Sequence, residues 1–486
     1  MTSFVGDRAA ARQVLRARRG AEHAAGWGQI LQDWYVGLFI TATLLTMLFS
    51  ATGGAILRPD CAKAVCLEPS GYRVVAVVLA VLGTGAMLAL LLARAGVDVT
   101  LLEKHGDFLR DFRGDTIHPS TLQVLDEIGL SEAFHRLPHR KAHTMSIRTD
   151  DAEVPISDLR RLPGKYRYIA FVPQWDFLDL LTREARAYPG FRLLMNARVT
   201  DLVRSDGAIR GVRYRDERGE EHEIRALLTV AADGRHSDLR RAAGLSPKRF
   251  GAPMDVVWFR LPRAADDPGE PFLRTSAGRL MVAINRETYW QLAYVIPKGG
   301  FAALRDGGVD GLRHEVGRLL PFLAGRTSEL RGFDEVGVLS VELNRLTRWH
   351  LPGLLLIGDA AHAMSPVFGV GINLAVQDAV ATANIVGPAL RRGEAPAALL
   401  ARVERRRKAP TAVVQAAQRV VQERLIRPAL TGPVARIPDL TRVPVVRSLL
   451  PRFIGLGVLP EHVRLPAQEK RSQQVDREGA AQDGVQ

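Results

Sequence analysis

A carboxylate at the end of an apolar run, followed by a glycine-rich turn, is where this chain could do chemistry. Leu354–Ile357 reads as a buried strand that stops at Gly358-Asp359. A loop of small residues holding His362 and Pro366 then leads to Gly369-Val370-Gly371-Ile372-Asn373, where a helix begins. A carboxylate just past a strand can hold a sugar hydroxyl. A glycine-rich turn that opens a helix offers free backbone N–H groups and the positive end of a dipole to an anion or a carbonyl oxygen.

Two other strand ends carry similar groups. The apolar run from Ala226 closes on Asp233-Gly234, with Ser237 and Arg240 on the following helix, and Asp233 lies 125 residues before Gly358. Val97–Leu102 reads as a strand ended by Glu103, the place where a dinucleotide fold puts the acid that grips a ribose. Arg113, the turn His118-Pro119-Ser120-Thr121 and Gln174 follow downstream. In this order, the pieces resemble the class A flavoprotein monooxygenases, the group typified by para-hydroxybenzoate hydroxylase. The resemblance covers roughly residues 87 to 390. It implies FAD as cofactor, NAD(P)H as co-substrate, and hydroxylation of a small organic, aromatic or polyketide-like, substrate with O2. It further implies that Glu103, Arg113, Gln174, Asp233, Gly234, Gly358, Asp359, Gly369, Gly371 and Asn373 contact the cofactor, with Pro366 and His362 near its ring. The chemistry would be borne by the flavin, and no paired carboxylates or Ser-His-Asp set is needed.

The first fingerprint of such a fold is degenerate. Its last glycine falls on Gly85, 18 residues before Glu103, but the other two glycine positions hold Ala80 and Leu82. A Leu at the second position puts a branched side chain where the backbone must approach a pyrophosphate. Gly83-Thr84-Gly85 offers a shifted cradle. Two alternatives therefore stay open at this point: a pseudoenzyme that keeps the fold without FAD, and an FAD-dependent reductase or dehydrogenase acting on a lipid or isoprenoid.

The N-terminal part is unlike a flavoenzyme. Trp34–Leu57 has 24 residues without a charge, enough to cross a bilayer core of about 30 Å. Val74–Leu92 has another 19, and the only two cysteines, Cys61 and Cys66, lie between the two stretches. Five arginines precede Trp34, which biases that end toward the cytoplasm. If both stretches span, the dinucleotide fold loses its first strand and helix. If Val74–Leu79 is that strand and Leu88–Ala95 its helix, the fold is complete; this is the preferred reading, because the spacing to Glu103 is kept. The expectation is a membrane-associated protein anchored through residues 34–57, with a cytoplasmic catalytic domain. It becomes a cytoplasmic protein if residues 1–86 are a fused or misassigned start.

Composition bounds the rest. The 486 residues have room for two or three domains. The net charge of +14 comes from 58 Arg and eight Lys scattered along the chain, and nothing resembles a nucleic-acid module. Two cysteines without a CxxC pair or a set of His ligands give no reason to expect a metal site. The Arg402–Lys408 cluster reads as a solvated helix face.

The expected fold class is α/β: a dinucleotide-binding fold with an inserted antiparallel-sheet substrate domain, preceded by one or two membrane-type helices. The cofactor domain would be discontinuous (74–140, 169–250 and 343–385), with the substrate domain in 141–168 and 251–342. Around these lie an Arg-rich tail (1–33), the membrane helix (34–57), a loop (58–73), a C-terminal helical region (386–466) and a disordered tail (467–486). Trp258, Phe259, Trp290 and Gln291 are candidates to line the substrate pocket.

Overall fold

A computed structural model describes residues 75–80, 84–109, 116–432 and 442–467. Its framework is a six-stranded sheet in the order His350–Leu351, Leu354–Leu356, Leu228–Ala232, Val75–Ala80, Asp98–Leu102, Phe191–Leu194. The last five are parallel, and His350–Leu351 folds back antiparallel on its neighbour. The run VAVVLA occupies a central position, where both neighbours are parallel strands; a continuous apolar sequence is what such a position calls for.

The helix after that strand, Thr84–Arg94, is buried at every residue before Arg94. It packs against the helices Gln174–Ala185 and Gly371–Leu390 as well as the strands. A helix surrounded in this way must be apolar all round. The preferred reading of this stretch is thus the one the fold adopts: Val75–Ala80 is a central strand and Thr84–Arg94 a core helix, not a membrane span. The helix begins at Thr84, four residues before the expected Leu88. Among the described residues no helix is long and apolar enough to cross a membrane. The expected membrane association and the two-span topology are corrected on these grounds. Trp34–Leu57, the cysteine loop, Arg113, Leu82 and the tail from 468 lie outside the described residues.

A second sheet has seven strands in the order Gly337–Leu339, Met254–Pro262, Tyr289–Pro297, Arg279–Asn285, Phe272–Ser276, Thr144–Arg148, Glu153–Asp158. It is antiparallel except where Phe272–Ser276 runs alongside Thr144–Arg148. Helix Gly308–Leu319 covers one face through Leu312, Val316 and Leu319. Pro321, which cannot continue a regular helix, opens the following 3-10 segment Pro321–Glu329. The Asp267 carboxylate is buried beside this core and takes both Arg326 nitrogens at 2.7 Å and the Trp290 indole at 2.8 Å. The C-terminal part is helical, with Ala397–Val421 extended by a π-turn at Gln422–Ile426, and then Pro444–Gly455.

Candidate active site

The strand-end groups singled out in the sequence fall along one edge of the six-stranded sheet, beyond the C-terminal ends of its parallel strands. Glu103 follows the strand Asp98–Leu102, is only 4% exposed, and accepts the His105 N–H at 3.1 Å. Next comes the N-terminus of the helix that starts Thr84-Gly85, whose first-turn N–H groups have no partner within the helix itself. Asp233-Gly234 caps the adjacent strand. Its carboxylate accepts the Ser237 hydroxyl at 2.5 Å and the Leu239 N–H at 3.1 Å, while burial pushes its pKa up. Gly358-Asp359 ends the strand after that, and Asp359 lies 3.8 Å from the guanidinium of Arg235, next to the Asp233-Gly234 turn. Arg240 donates to the Ala360 carbonyl at 2.9 Å, so the two turns are tied together.

Gly358 is needed for its lack of a side chain. Its φ is +57°, and an added Cβ would lie 2.7 Å from the Thr84 hydroxyl oxygen. The turn thereby lies against the opening of the first helix. Gln174, also at a helix start, is 4% exposed, yet neither its amide nitrogen nor its oxygen has a hydrogen-bond partner. A buried, unpaired amide is costly unless a bound group completes it. These features fit an extended, polar dinucleotide along the edge.

Beneath the Gly358-Asp359 turn lies a buried ionic network. Asp378 accepts the Gly358 N–H at 3.0 Å and His362 Nε2 at 2.6 Å through one oxygen, and Arg407 Nε at 2.9 Å through the other. Arg407 continues to Glu461 at 3.3 Å, which Arg406 grips at 2.6 Å. Burial pushes the Asp378 carboxyl up, but His362 and Arg407 outweigh it and hold it below the usual carboxylate range. His362 thus supports the turn from below, 1% exposed and lying on Trp349 with ring centroids 4.9 Å apart. The helix bearing Arg402–Lys408 is not a uniformly solvated face either: Arg402, Arg405 and Arg406 are exposed, while Arg407 is buried at 1%.

The loop between His362 and the helix Gly371–Leu390 is held from several sides. The Gly369 carbonyl accepts the Thr116 hydroxyl at 2.8 Å and faces His118 Nε2 at 3.0 Å. His118 Nδ1 lies 2.8 Å from the Ile454 carbonyl, and burial lowers this histidine's pKa to about 4. Gly369 has φ +65°. Asn373 is turned toward the protein, where its carbonyl oxygen accepts Ser120 Oγ at 2.5 Å and Thr121 Oγ1 at 2.9 Å. Pro366 opens the short turn Val367–Gly369, in which Phe368 takes φ +68° and meets Phe453 edge-on at 5.9 Å.

Strand alternation divides the four candidate pocket residues. Phe259 and Trp290 point into the core under helix Gly308–Leu319. Trp258 faces the opposite way and joins the clusters that include Val367, Phe368 and Phe453; Gln291, one residue from Trp290, shares that side by the period of two. Its oxygen accepts Arg286 Nε at 2.9 Å. The Trp258 indole nitrogen is buried with no partner. One group of metal-ligand type occurs among the described residues, Asp216, Glu220 and His222; the Asp216 oxygens there are taken up by the Arg218 and Glu220 N–H groups and by His222.

A parallel sheet with polar strand-end turns, joined to an antiparallel sheet that faces the loop after the last turn, defines a dinucleotide-cofactor oxidoreductase. The FAD binding domain family matches residues 75–418, and the chain belongs to it. Its relatives include the 6-methylpretetramide 4-monooxygenase of Streptomyces rimosus, 32% identical over 375 residues, a match covering 76% of this chain and 89% of that protein. The fold is similar to that of the OxyS anhydrotetracycline hydroxylase from Streptomyces rimosus, with TM-score 0.60, 22% identity, and 79% and 75% of the two chains covered. It is also similar to P. aeruginosa PqsL in complex with 2-aminobenzoylacetate, with TM-score 0.63, 22% identity, and 73% and 98% covered. The chain is an FAD-dependent monooxygenase that uses NAD(P)H.

Proposed function

We propose that the protein hydroxylates a planar, fused-ring aromatic substrate of polyketide type. The observation that carries this reading is the partly buried cluster of Trp258, Val282, Phe368 and Phe453, apolar and aromatic except for one buried, unpartnered indole N–H. Such a cluster, beside the loop assigned to the flavin, suits a flat ring system that carries an oxygen for that donor. The relatives named for 6-methylpretetramide and anhydrotetracycline support the same class.

In this reading residues 74–140, 169–250 and 343–385 form the cofactor domain, and 141–168 and 251–342 the substrate domain. Glu103 holds the adenosine ribose and Asp359 the ribityl chain. Gly85, Arg113, Asp233, Gly234 and Gln174 line the cofactor between these ends, while Gly358, Gly369 and Gly371 allow the backbone to approach it. Pro366 shapes the wall against the ring, and Asn373 acts indirectly by fixing the helix start to Ser120 and Thr121. FAD, once reduced by NAD(P)H, supplies the activation of O2. The protein orients the substrate and excludes water.

The test is aerobic turnover of the purified protein with NADH or NADPH and a tetracyclic aromatic polyketide, using isotopically labelled O2. The expected product carries one labelled oxygen atom. Cofactor oxidation that such compounds do not stimulate, while simple single-ring phenols do, would refute the substrate class.

A further inference from the structure

The long C-terminal helix carries Gln415, Gln418 and Gln422, at spacings of three and four that place them on one face. All three are at least 98% buried. They point at the irregular segment from Ala363 to Val367, which leads into the Phe368 turn. Gln418 accepts the Ser365 N–H at 3.2 Å and donates to the Ser365 carbonyl at 2.8 Å and the Val367 carbonyl at 2.9 Å. Gln415 donates to the Asn344 and Ala363 carbonyls at 2.8 and 3.1 Å, and its oxygen accepts Arg345 at 2.7 Å. Gln422 donates to the Ser365 hydroxyl at 2.8 Å.

A buried segment that forms neither helix nor sheet must find partners for its backbone groups elsewhere. Glutamine suits this task because it offers donors and an acceptor on one uncharged, long side chain. A glutamate would lack the donors and bring a charge into the interior. The helix departs from α-geometry at the last residue of this face, in the π-turn Gln422–Ile426, a feature often found at functional sites.

We propose that Gln415, Gln418 and Gln422 are positioning residues that impose the conformation of Ala363–Val367, and through Pro366 and Phe368 shape the wall against the flavin. This rests on the reading that the loop faces the flavin ring. The three side chains act through the loop backbone and touch no reacting atom.

The test uses the FAD-loaded full chain with Gln418→Leu, and with Ser365→Ala as a milder variant should the first fail to fold. Val420→Ala, on the exposed side of the same helix, is the control. Three readouts are taken: hydrogen exchange at Ser365 and Val367, the FAD dissociation constant, and the band shape and midpoint potential of the bound flavin. The expected result for Gln418→Leu is faster exchange confined to this loop, an altered flavin band and potential, and roughly tenfold weaker FAD binding. Ser365→Ala should show the same changes at smaller amplitude, and the control none. Unchanged exchange would overturn the clamp itself. Faster exchange with flavin band, potential and affinity all unchanged would overturn the link to the flavin, and with it the reading that the loop faces the ring.

Discussion

Replacing Arg407 by Met tests whether the buried network under the Gly358-Asp359 turn holds the fold. The guanidinium is 1% exposed and meets three acceptors: Asp378 at 2.9 Å, Glu461 at 3.3 Å and the Leu459 carbonyl at 3.2 Å. Breaking a buried ion pair from one side costs about 3–5 kcal/mol, because a charge stays buried without its partner. Here Arg406 still holds Glu461 and His362 still holds Asp378, so the loss should sit at the lower end, about 3 kcal/mol. That is roughly a hundredfold change in the unfolding equilibrium. Urea unfolding of both proteins at neutral pH measures it, with Arg402→Met as a comparison: Arg402 is exposed on the same helix and should change stability by less than about 0.5 kcal/mol.

The pH dependence adds an independent check on that network. The Asp378 carboxyl is held below its unfolded value, so its contribution is present above the ordinary carboxylate pKa and is lost as pH falls through the lower folded value. Without Arg407 the carboxyl protonates at higher pH, and the acid unfolding midpoint should move up. A loss under about 1 kcal/mol with an unmoved acid midpoint would refute the reasoning and return Arg407 to the solvated face.

Asp359→Ala should weaken FAD binding by roughly ten- to a hundredfold, the effect of a charge-assisted hydrogen bond of about 1.5–3 kcal/mol; an unchanged flavin content after purification would remove Asp359 from the site. His118, with its pKa lowered to about 4 by burial, must be charged on unfolding in acid. Its folded pKa is depressed, so stability is whole above about pH 6.5 and falls by roughly 3 kcal/mol toward pH 4; denaturation at several pH values should show a shallower slope in His118→Gln. The double change Ala80→Gly, Leu82→Gly should raise FAD affinity in a fluorescence titration, since it clears two side chains from the turn expected beside the pyrophosphate.

The strand-end turns were legible because each joins a short apolar run to a glycine and a carboxylate, a local pattern that needs no distant partner. The two-span alternative failed because hydropathy cannot distinguish a bilayer span from a central sheet strand followed by a helix packed on all sides, as Val75–Ala80 and Thr84–Arg94 are, whereas the spacing to Glu103 favours the strand. Period two predicts that Trp258 and Phe259 point to opposite faces, but not which face meets the loop. The supports of the loop were out of reach for a different reason. Asp378 and Arg407 are 29 residues apart, and Ser365 and Gln418 are 53 apart. An Arg or Gln on a helix looks the same in sequence whether it faces water or a buried backbone.

The order of the sheet bears on the degenerate first fingerprint. Across its edge the stations run Glu103, Thr84-Gly85, Asp233-Gly234, Gly358-Asp359, in the order of four neighbouring strands. At a strand spacing near 4.8 Å these extend over about 14 Å, a length suited to an extended dinucleotide rather than a compact ligand. On the proposed assignment, the cofactor is gripped at its ribose end and its ribityl end by carboxylates on the two outer strands of this set. In sequence, Ala80 and Leu82 adjoin only the Thr84-Gly85 station. Their effect is then a weaker hold at one of four points, while the helix start behind them is fixed by the parallel pairing of Val75–Ala80 on both sides. Such a site keeps its register and its cofactor while losing affinity, which is how a chain with a broken glycine pattern can remain a working member of an FAD family.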